Sequence, residues 1–500
     1  MRIMEQSGIM RKLLVILIAV FTMSGLFAQS GLRPRGDVNC DWEVNVGDVN
    51  ALVDSILQGA TYHSLYNSPF DINEDKEINI ADINMVVAAI LGQELLPMPS
   101  YSGTVPVLFI NTEGHRDVVS REKEDYMQAE WWLDNMGHDE FQSIGSAEAP
   151  LGTLIKGHGN YTWRHYPKKS YRLKLDTKEP LMGMPKNRHF VLLAHYDDYL
   201  ARLKNTVGFE LSRRIGLPYT PAQEPIELVI NGKYMGLYFL TEKIRTGKHR
   251  VNIEEQADYE TDPERISGGW LLEIDNNPNP GVHVYITEKY NSNNLPDSMA
   301  VTYLCPEALS DVQKQWLIQY LTDVNAAIYT ADKSSVEWER YIDIDTLAMF
   351  YIVREILDDI EGFAGSCYMY KRYSDNSKLI FGPVWDFGSA YQRWAIYGDI
   401  QFNKFIYEQP SVFNSSWIEE IAKFPHFQQV LRQHWREFYG TGFNGLDIDS
   451  FADEFVESIK PAVAADCVPW PRYDIDIQKA DFKLFIHRKI AWLQSQWGNN

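Results

Sequence analysis

Four carboxylates, Glu355, Asp358, Asp359 and Glu361, crowd the end of an apolar run (T-L-A-M-F-Y-I-V) that reads as a buried helix from Asp345 to Leu357. The negative end of the helix macrodipole and like-charge repulsion both disfavour them there, so the pattern calls for a cation. Gly362 supplies the cap. Two apolar runs follow, 366–373 and 378–384, joined by Ser374-Asp375-Asn376-Ser377, which is hairpin chemistry. The second run ends on Trp385-Asp386, and folding a helix end against a strand end brings Glu361 and Asp386 together. A solvated helix terminus beside an ordinary turn aspartate is the plainer alternative.

A second constellation is basic. Gly152–Lys156 reads as a strand, Gly157-His158-Gly159-Asn160 as a tight turn, and Lys168–Leu175 as the returning strand, with basic residues on alternate positions. A Gly-x-Gly turn brings backbone N–H groups close to a phosphate, and a fixed ammonium reaches it; a surface hairpin with solvated lysines fits the same pattern.

The third is a duplication. Asp37 to Asp48 and Asp71 to Asp82 match position for position, 34 residues apart, each leading into an apolar helix. Asp37, Asn39, Asp41, Asn45 and Asp48 repeat as Asp71, Asn73, Asp75, Asn79 and Asp82, with Glu43 and Glu77 offering backbone carbonyls. Hard oxygen donors at that spacing predict two calcium loops. Trp42 and Lys76 stand where such a loop favours glycine, which predicts weakened binding.

The elements that must position these groups change character along the chain. From Val105 to about Ile274 the pattern is strand-rich, with Asn231-Gly232 the strongest hairpin signal, inside Glu227–Thr241. Leu181–Leu193 and Asp198–Leu217 read as a strand, an acidic turn and a helix, and Glu242 either pairs with a lysine or ends a strand. Beyond Pro306 the period is helical: 311–329, the helix reaching Asp359, then 417–424, 427–438, 448–459 and 475–497.

Composition sets the frame. At 500 residues with 45% apolar and 13% aromatic content, the chain can bury one large core beside a small module. A net charge of −21 argues against nucleic acid or anionic membranes as partners. Residues 1–28 read as a secretory signal, 36–94 as the calcium module, 95–104 as a linker and 105–500 as the main domain. No later run is long enough to span a membrane, so the expected location is outside the cell or on its surface. Cys40, Cys305, Cys367 and Cys467 form no C-x-x-C pair and read as isolated thiols, with one bridge open.

Asp386-Phe387-Gly388 spells the metal-binding tripeptide of protein kinases, although H-R-D-L-x-x-x-N, V-A-I-K and A-P-E are absent. The segment from Glu355 to Gly388 resembles the CotH kinase family signature E-x-x-x-N-x-D, Y-x-Y-K and G-P-x-W-D-F/Y-D. Tyr368-Met369-Tyr370-Lys371 and Asp386 match, whereas Asp359 replaces Asn, Glu361 replaces Asp, Ser366 stands where many relatives have Asn, and Gly388 replaces the second Asp. K-G-H-G-N-Y-T-W and P-K-K-S-Y-R-L-K-L resemble the same family's strands, with Lys156 in place of Arg, as does D-x-x-x-x-R-N, with Lys204 in place of Arg and Asn205 kept. The resemblance implies an α+β fold of atypical kinase type, a β-rich and a helical lobe. It implies Gly157, Gly159, Lys169 and Lys174 on the nucleotide, Asp386 assisted by Asp359 and Ser366 on Mg²⁺ or Mn²⁺ with ATP, and Glu361 orienting a hydroxyl of a secreted or surface protein. The duplicated loops resemble a type I dockerin, which implies an all-α module and a cohesin-bearing scaffold as partner, or a calcium-stabilised spacer. Two rivals stand beside the kinase reading: a pseudokinase scaffold, and a dockerin-borne carbohydrate-active hydrolase using Glu361 with Asp386.

Overall fold

The structure is a computed structural model that describes residues 35–36, 38–39, 44–57, 70, 72, 78–92, 101–122, 125–275, 283–288, 297–373, 377–391, 402–409, 417–467, 469–470, 472 and 474–498. The expected signal segment, Cys40, and the loop donors Asp37, Asp41, Asp71, Asn73 and Asp75 lie outside these residues.

In the N-terminal module, helices α1 (Val46–Leu57) and α2 (Ile80–Ile90) follow the two loops. Val38, Leu52, Ile72 and Val86 form its core, two pairs each 34 residues apart, so the duplicated sequence builds a duplicated core.

The rest is mixed α+β. Seven strands, β1 (Val107–Thr112), β2 (Met127–Asp134), β3 (Leu151–His158), β4 (Ser170–Glu179), β5 (Asn187–Leu193), β6 (Gln223–Ile230) and β7 (Lys233–Glu242), close into a barrel in the order 1-2-3-4-5-7-6. Closure leaves no unpaired edge. Ile155, Leu173, Leu175, Phe190 and Leu240 fill the interior, so the alternate residues of β3, β4, β5 and β7 face outward. Asn231-Gly232 forms the predicted β6–β7 turn with both φ values positive, 53° and 74°.

Two sequence expectations change here. The β3–β4 connection is not a tight turn: it contains a helical turn, Tyr161–His165, and Gly157 is needed because a Cβ there would lie 2.6 Å from the Trp163 ring. Tyr101–Thr104, read as linker, pack on the barrel, where Ser102 N, Ser102 Oγ and Gly103 N donate to the buried Glu227.

Helix α3 (Leu203–Ile215) lies between β5 and β6 in sequence. A second sheet pairs β8 (Trp270–Ile274), β9 (His283–Glu288), β10 (Asp297–Cys305), β11 (Cys367–Lys371) and β12 (Ile380–Phe381) in the order 12-11-8-10-9. The expected hairpin is therefore formed, as β11 and β12. Helices α4 (Asp311–Ile328), α5 (Ile344–Ile356), α6 (Pro425–Gly440), α7 (Ile448–Asp466) and α8 (Ile475–Trp497) build the large second core with this sheet.

Barrel and helices are clipped by one buried cluster. Asp466, near the end of α7, accepts from Lys168 Nζ at 2.6 Å, Leu237 N at 3.0 Å and Arg202 Nη2 at 3.1 Å. Gly236 lets the carboxylate in, since a Cβ there would fall 2.1 Å from Asp466 Oδ1.

Candidate functional site

The acidic helix end is neutralised by the protein itself. Lys489 of α8 lies 2.9 Å from Glu355 Oε2 and 2.7 Å from Asp358 Oδ1, all buried. Tyr351 Oη and Ile406 N also donate to Glu355, and Gln409 Nε2 donates to Asp358. Asp359 is fully buried, with one oxygen paired to Arg354 and the other accepting from Ser389 Oγ. Both oxygens are engaged inside the protein, so Asp359 is not presented to a metal as the sequence had suggested.

Arg354 is the hub that fixes the Asp386 strand end. It donates to the carbonyls of Trp385 at 2.8 Å, Ser366 at 3.2 Å and Asp386 at 3.4 Å, and stacks 4.6 Å from the Phe387 ring centroid. Gly362 makes room for it, since a Cβ there would lie 2.7 Å from Arg354 Cδ. From the other side α3 holds the same tripeptide: Phe387 N donates to Asn205 Oδ1 at 2.8 Å, Lys204 Nζ donates to Gly388 O at 2.9 Å, and Gly208 clears space for Phe387. Asp358, Ser366, Asp386 and Tyr391 all hold left-handed backbone, φ 50–55°, a strain that this packing sustains.

Asp386 is exposed to a cavity of about 70 Å³ lined by His158, Gly159, Lys168, Asp197 and Lys204 among others. The surrounding protein pushes its carboxyl above the usual range, against the Gly388 N–H. Asp197 joins it. Burial raises Asp197 to about 6, Lys204 opposing and Asp386 reinforcing. A Cβ at Gly388 would lie 3.1 Å from Asp386 Oδ1 and 3.5 Å from Asp197 Oδ2, so both carboxylates flank Gly388 and both line the same cavity. Two hard oxygen donors lining one cavity fit a divalent cation, although among the described residues no group of three or more His, Cys, Asp or Glu side chains is gathered. Sequence reasoning missed Asp197; the acidic doublet ahead of α3 was its signal. Asp198, its neighbour, is buried and accepts from Leu200 N and Lys204 N instead.

The remaining expected residues are placed as follows. Gly159 lines the Asp386 cavity; Gly157, Lys169, Lys174, Glu361 and Ser366 do not. Lys169 Nζ donates to Trp163 O at 2.5 Å and covers its ring, and Lys174 is exposed on the outer barrel face. Lys156 donates to the carbonyls of Arg121 and Glu122 at 3.0 and 2.9 Å. Glu361 is half-buried on the turn after α5, where its carbonyl accepts from Ala364 N at 2.8 Å. Glu242 pairs with Arg250, not with a lysine.

In the N-terminal loops, Asp48 is buried and accepts from Val38 N at 2.6 Å, Asn39 N at 3.0 Å and Asn45 N at 2.8 Å. Asp82 repeats this with Ile72 N at 2.6 Å and Asn79 N at 2.9 Å. Among the described residues no cationic side chain pairs with Asp48, and three backbone N–H groups meet its charge. Val46 and Ile80, at matching loop positions, are 63% and 71% exposed, and Leu57 and Leu91 are 79% and 78% exposed, giving two like apolar points on each helix.

Among the described residues Cys305, Cys367 and Cys467 are free thiols, and no helix is long and apolar enough to cross a membrane. A family model described as CotH kinase protein matches residues 155–494, and one described as Dockerin type I domain matches residues 35–91. No curated protein matches the chain.

Proposed function

The chain belongs to the CotH kinase protein family, and on that premise we propose that it is an exported two-lobed atypical kinase. It transfers phosphate from a nucleotide to hydroxyl groups of secreted or surface proteins. Its dockerin type I domain, which belongs to a class of calcium-binding, cohesin-docking modules, attaches it to a cohesin-bearing scaffold. The observation that carries the reading is that Asp386 and Asp197 flank Gly388 and line one cavity with His158, Gly159 and Lys204.

In this site Asp386 and Asp197 hold a divalent ion, Asp197 supplying the second carboxylate that Gly388 lacks. The ion, when bound, neutralises charge on the transferring phosphate. Lys204 fixes Gly388 through its carbonyl, and Arg354 and Asn205 fix Asp386 through the backbone on either side. Positioning of this kind is most of what phosphoryl transfer asks of a protein. A cavity of about 70 Å³ takes an ion and a phosphate end, whereas ligand sites span roughly 300–1,000 Å³, so the nucleoside lies outside it. Glu361 orients the acceptor hydroxyl.

One observation favours a second reading, a nucleotide-binding scaffold without turnover: Glu361 does not line the cavity of Asp386. Labelled ATP with Mn²⁺ or Mg²⁺ and a Ser-rich acceptor separates the two. Transfer that disappears in Asp386→Asn supports the kinase; ATP binding dependent on Asp386 without transfer supports the scaffold. No ATP binding in either protein overturns both.

A further inference from the structure

A cavity of about 530 Å³ is bounded by α4, the 336–341 segment and the β11–β12 hairpin, and it shares no lining residue with the Asp386 cavity. Its volume falls within the range of ligand sites, roughly 300–1,000 Å³. Two kinds of group meet in it, ammonium groups without a counter-charge and stacked aromatic rings.

The central ammonium is that of Lys371. Side chains alternate along a strand, so Lys371 stands on the face of β11 that carries Cys367 and Met369, both fully buried, and it is itself only 8% exposed. Among the described residues no carboxylate pairs with it, and its Nζ donates only to Ser377 Oγ, at 3.0 Å. Desolvation by burial therefore acts on it unopposed and lowers its pKa. A buried charge of this kind is costly until an anion meets it. Lys378 lines the same cavity, half-buried, and makes no hydrogen bond or ion pair among the described residues.

The rings form a ladder. Trp316 lies parallel to the buried Trp270 with centroids 5.6 Å apart, and Tyr320 lies parallel to Trp316 at 4.9 Å. Tyr320 ends the stack: Tyr341 meets it edge-on at 5.7 Å, its Oη donates to Tyr341 O at 3.2 Å, and Lys371 Nζ lies 5.8 Å from its centroid. Ring and ammonium are thus fixed beside each other, in a cavity whose one aliphatic lining residue is Val336.

The remaining lining groups narrow the ligand. Glu339, 2.7 Å from His426 Nδ1, repels a dianion such as a phosphate monoester but accepts from a hydroxyl. Arg340, whose fork would favour phosphate, is engaged by Glu337. Ser267 and Ser377 add hydroxyl groups. A flat C–H face for the tyrosine, several hydroxyls and a single carboxylate for the lysines describe a uronic acid.

We propose that this cavity binds an acidic sugar, a uronate ring laid against Tyr320 with its carboxylate on Lys371 and Lys378. The site stands apart from the nucleotide reading, because the two cavities have no lining residue in common.

The test measures binding of triglucuronate to the full chain by calorimetry, against its methyl ester and inorganic phosphate. The proteins are wild type, Lys371→Met, Lys378→Met, Tyr320→Leu and, as a control, Lys314→Met, an exposed lysine of α4. Lys371→Met is expected to weaken triglucuronate at least tenfold, Lys378→Met and Tyr320→Leu at least fivefold, and the control by less than twofold. The ester should bind at least tenfold more weakly than the acid. Folding is followed by thermal unfolding without sugar, where Lys371→Met should melt no lower than wild type because a buried ammonium without a carboxylate is gone. Lys378→Met repeats the charge test at a half-buried position outside the core. Triglucuronate that fails to bind, or whose binding ignores both lysines, overturns the site. An ester that binds as tightly as the acid overturns the role of the carboxylate. Phosphate bound as tightly through the same lysines overturns the sugar, and triglucuronate affinity unchanged in Tyr320→Leu overturns the ring contact.

Discussion

Replacing Lys489 by methionine removes the one ammonium shared by Glu355 and Asp358 and leaves two buried carboxylates facing each other's field. Breaking a buried pair costs about 3–5 kcal/mol, because the surviving charge stays desolvated. Some support remains from Tyr351, Ile406 and Gln409, whose hydrogen bonds keep each acid anchored. The protein also has an escape: protonating Glu355 at pH 7 costs at most about 3.4 kcal/mol, roughly 1.36 kcal/mol for each unit between 4.5 and 7. Burial has already raised that carboxyl and the one on Asp358, so the escape is cheaper still. A loss of about 3 kcal/mol is therefore expected at pH 7. It should shrink towards pH 5, where protonation is easier, and largely vanish when Lys489→Met is placed in a Glu355→Gln, Asp358→Asn background. Urea unfolding of each variant at pH 7 and pH 5, followed by tryptophan fluorescence, measures all three. Destabilisation below 1 kcal/mol, or one equal at both pH values, would refute the claim that protein cations hold the acidic helix end. So would an unfolding midpoint of the wild type that falls when Mg²⁺ is chelated by as much as the substitution lowers it.

Three further outcomes follow from the same geometry. Gly208→Ala puts a Cβ 2.3 Å from the Phe387 ring, and such overpacking costs about 1–3 kcal/mol; thermal unfolding should drop while the N-terminal module's calcium response stays the same. Glu224 is raised to about 7 by burial, with Glu140 adding to it and Arg213 opposing, so its contribution is present below pH 4.5 and lost as pH rises through 7. Glu224→Gln should thus stabilise by about 1 kcal/mol at pH 8 and not at pH 4, as read from denaturant midpoints, the partly exposed site allowing no more. Calcium at about a hundredfold over its dissociation constant should stabilise the N-terminal module by about 2.7 kcal/mol. Asp48→Ala should remove most of that gain, and isothermal calcium titration checks it.

What could be read from sequence was what is written locally. Asn231-Gly232 made its hairpin, the 34-residue repeat made a repeated core, and the run ending at Leu357 made its buried helix. The acidic helix end was read as waiting for a cation, and that physical demand was sound; the answer came from Arg354 beside it and from Lys489, 131 residues past Asp358, which no local spacing reveals. Parity misled in a similar way. Alternating basic residues after the Gly-x-Gly turn marked an outward face, but which of them meets the site depends on what packs against that face. Lys174 is exposed, while Arg172, two residues earlier on the same face, is half-buried with its Nε enclosed by protein. Asp197 and Asp198 are adjacent in sequence, yet a left-handed turn at Ala201-Arg202 leaves one as a helix-start acceptor and sends the other into the Asp386 cavity. The chemistry of each group was legible in its type, and its role was decided by the partner that long-range packing brought to it.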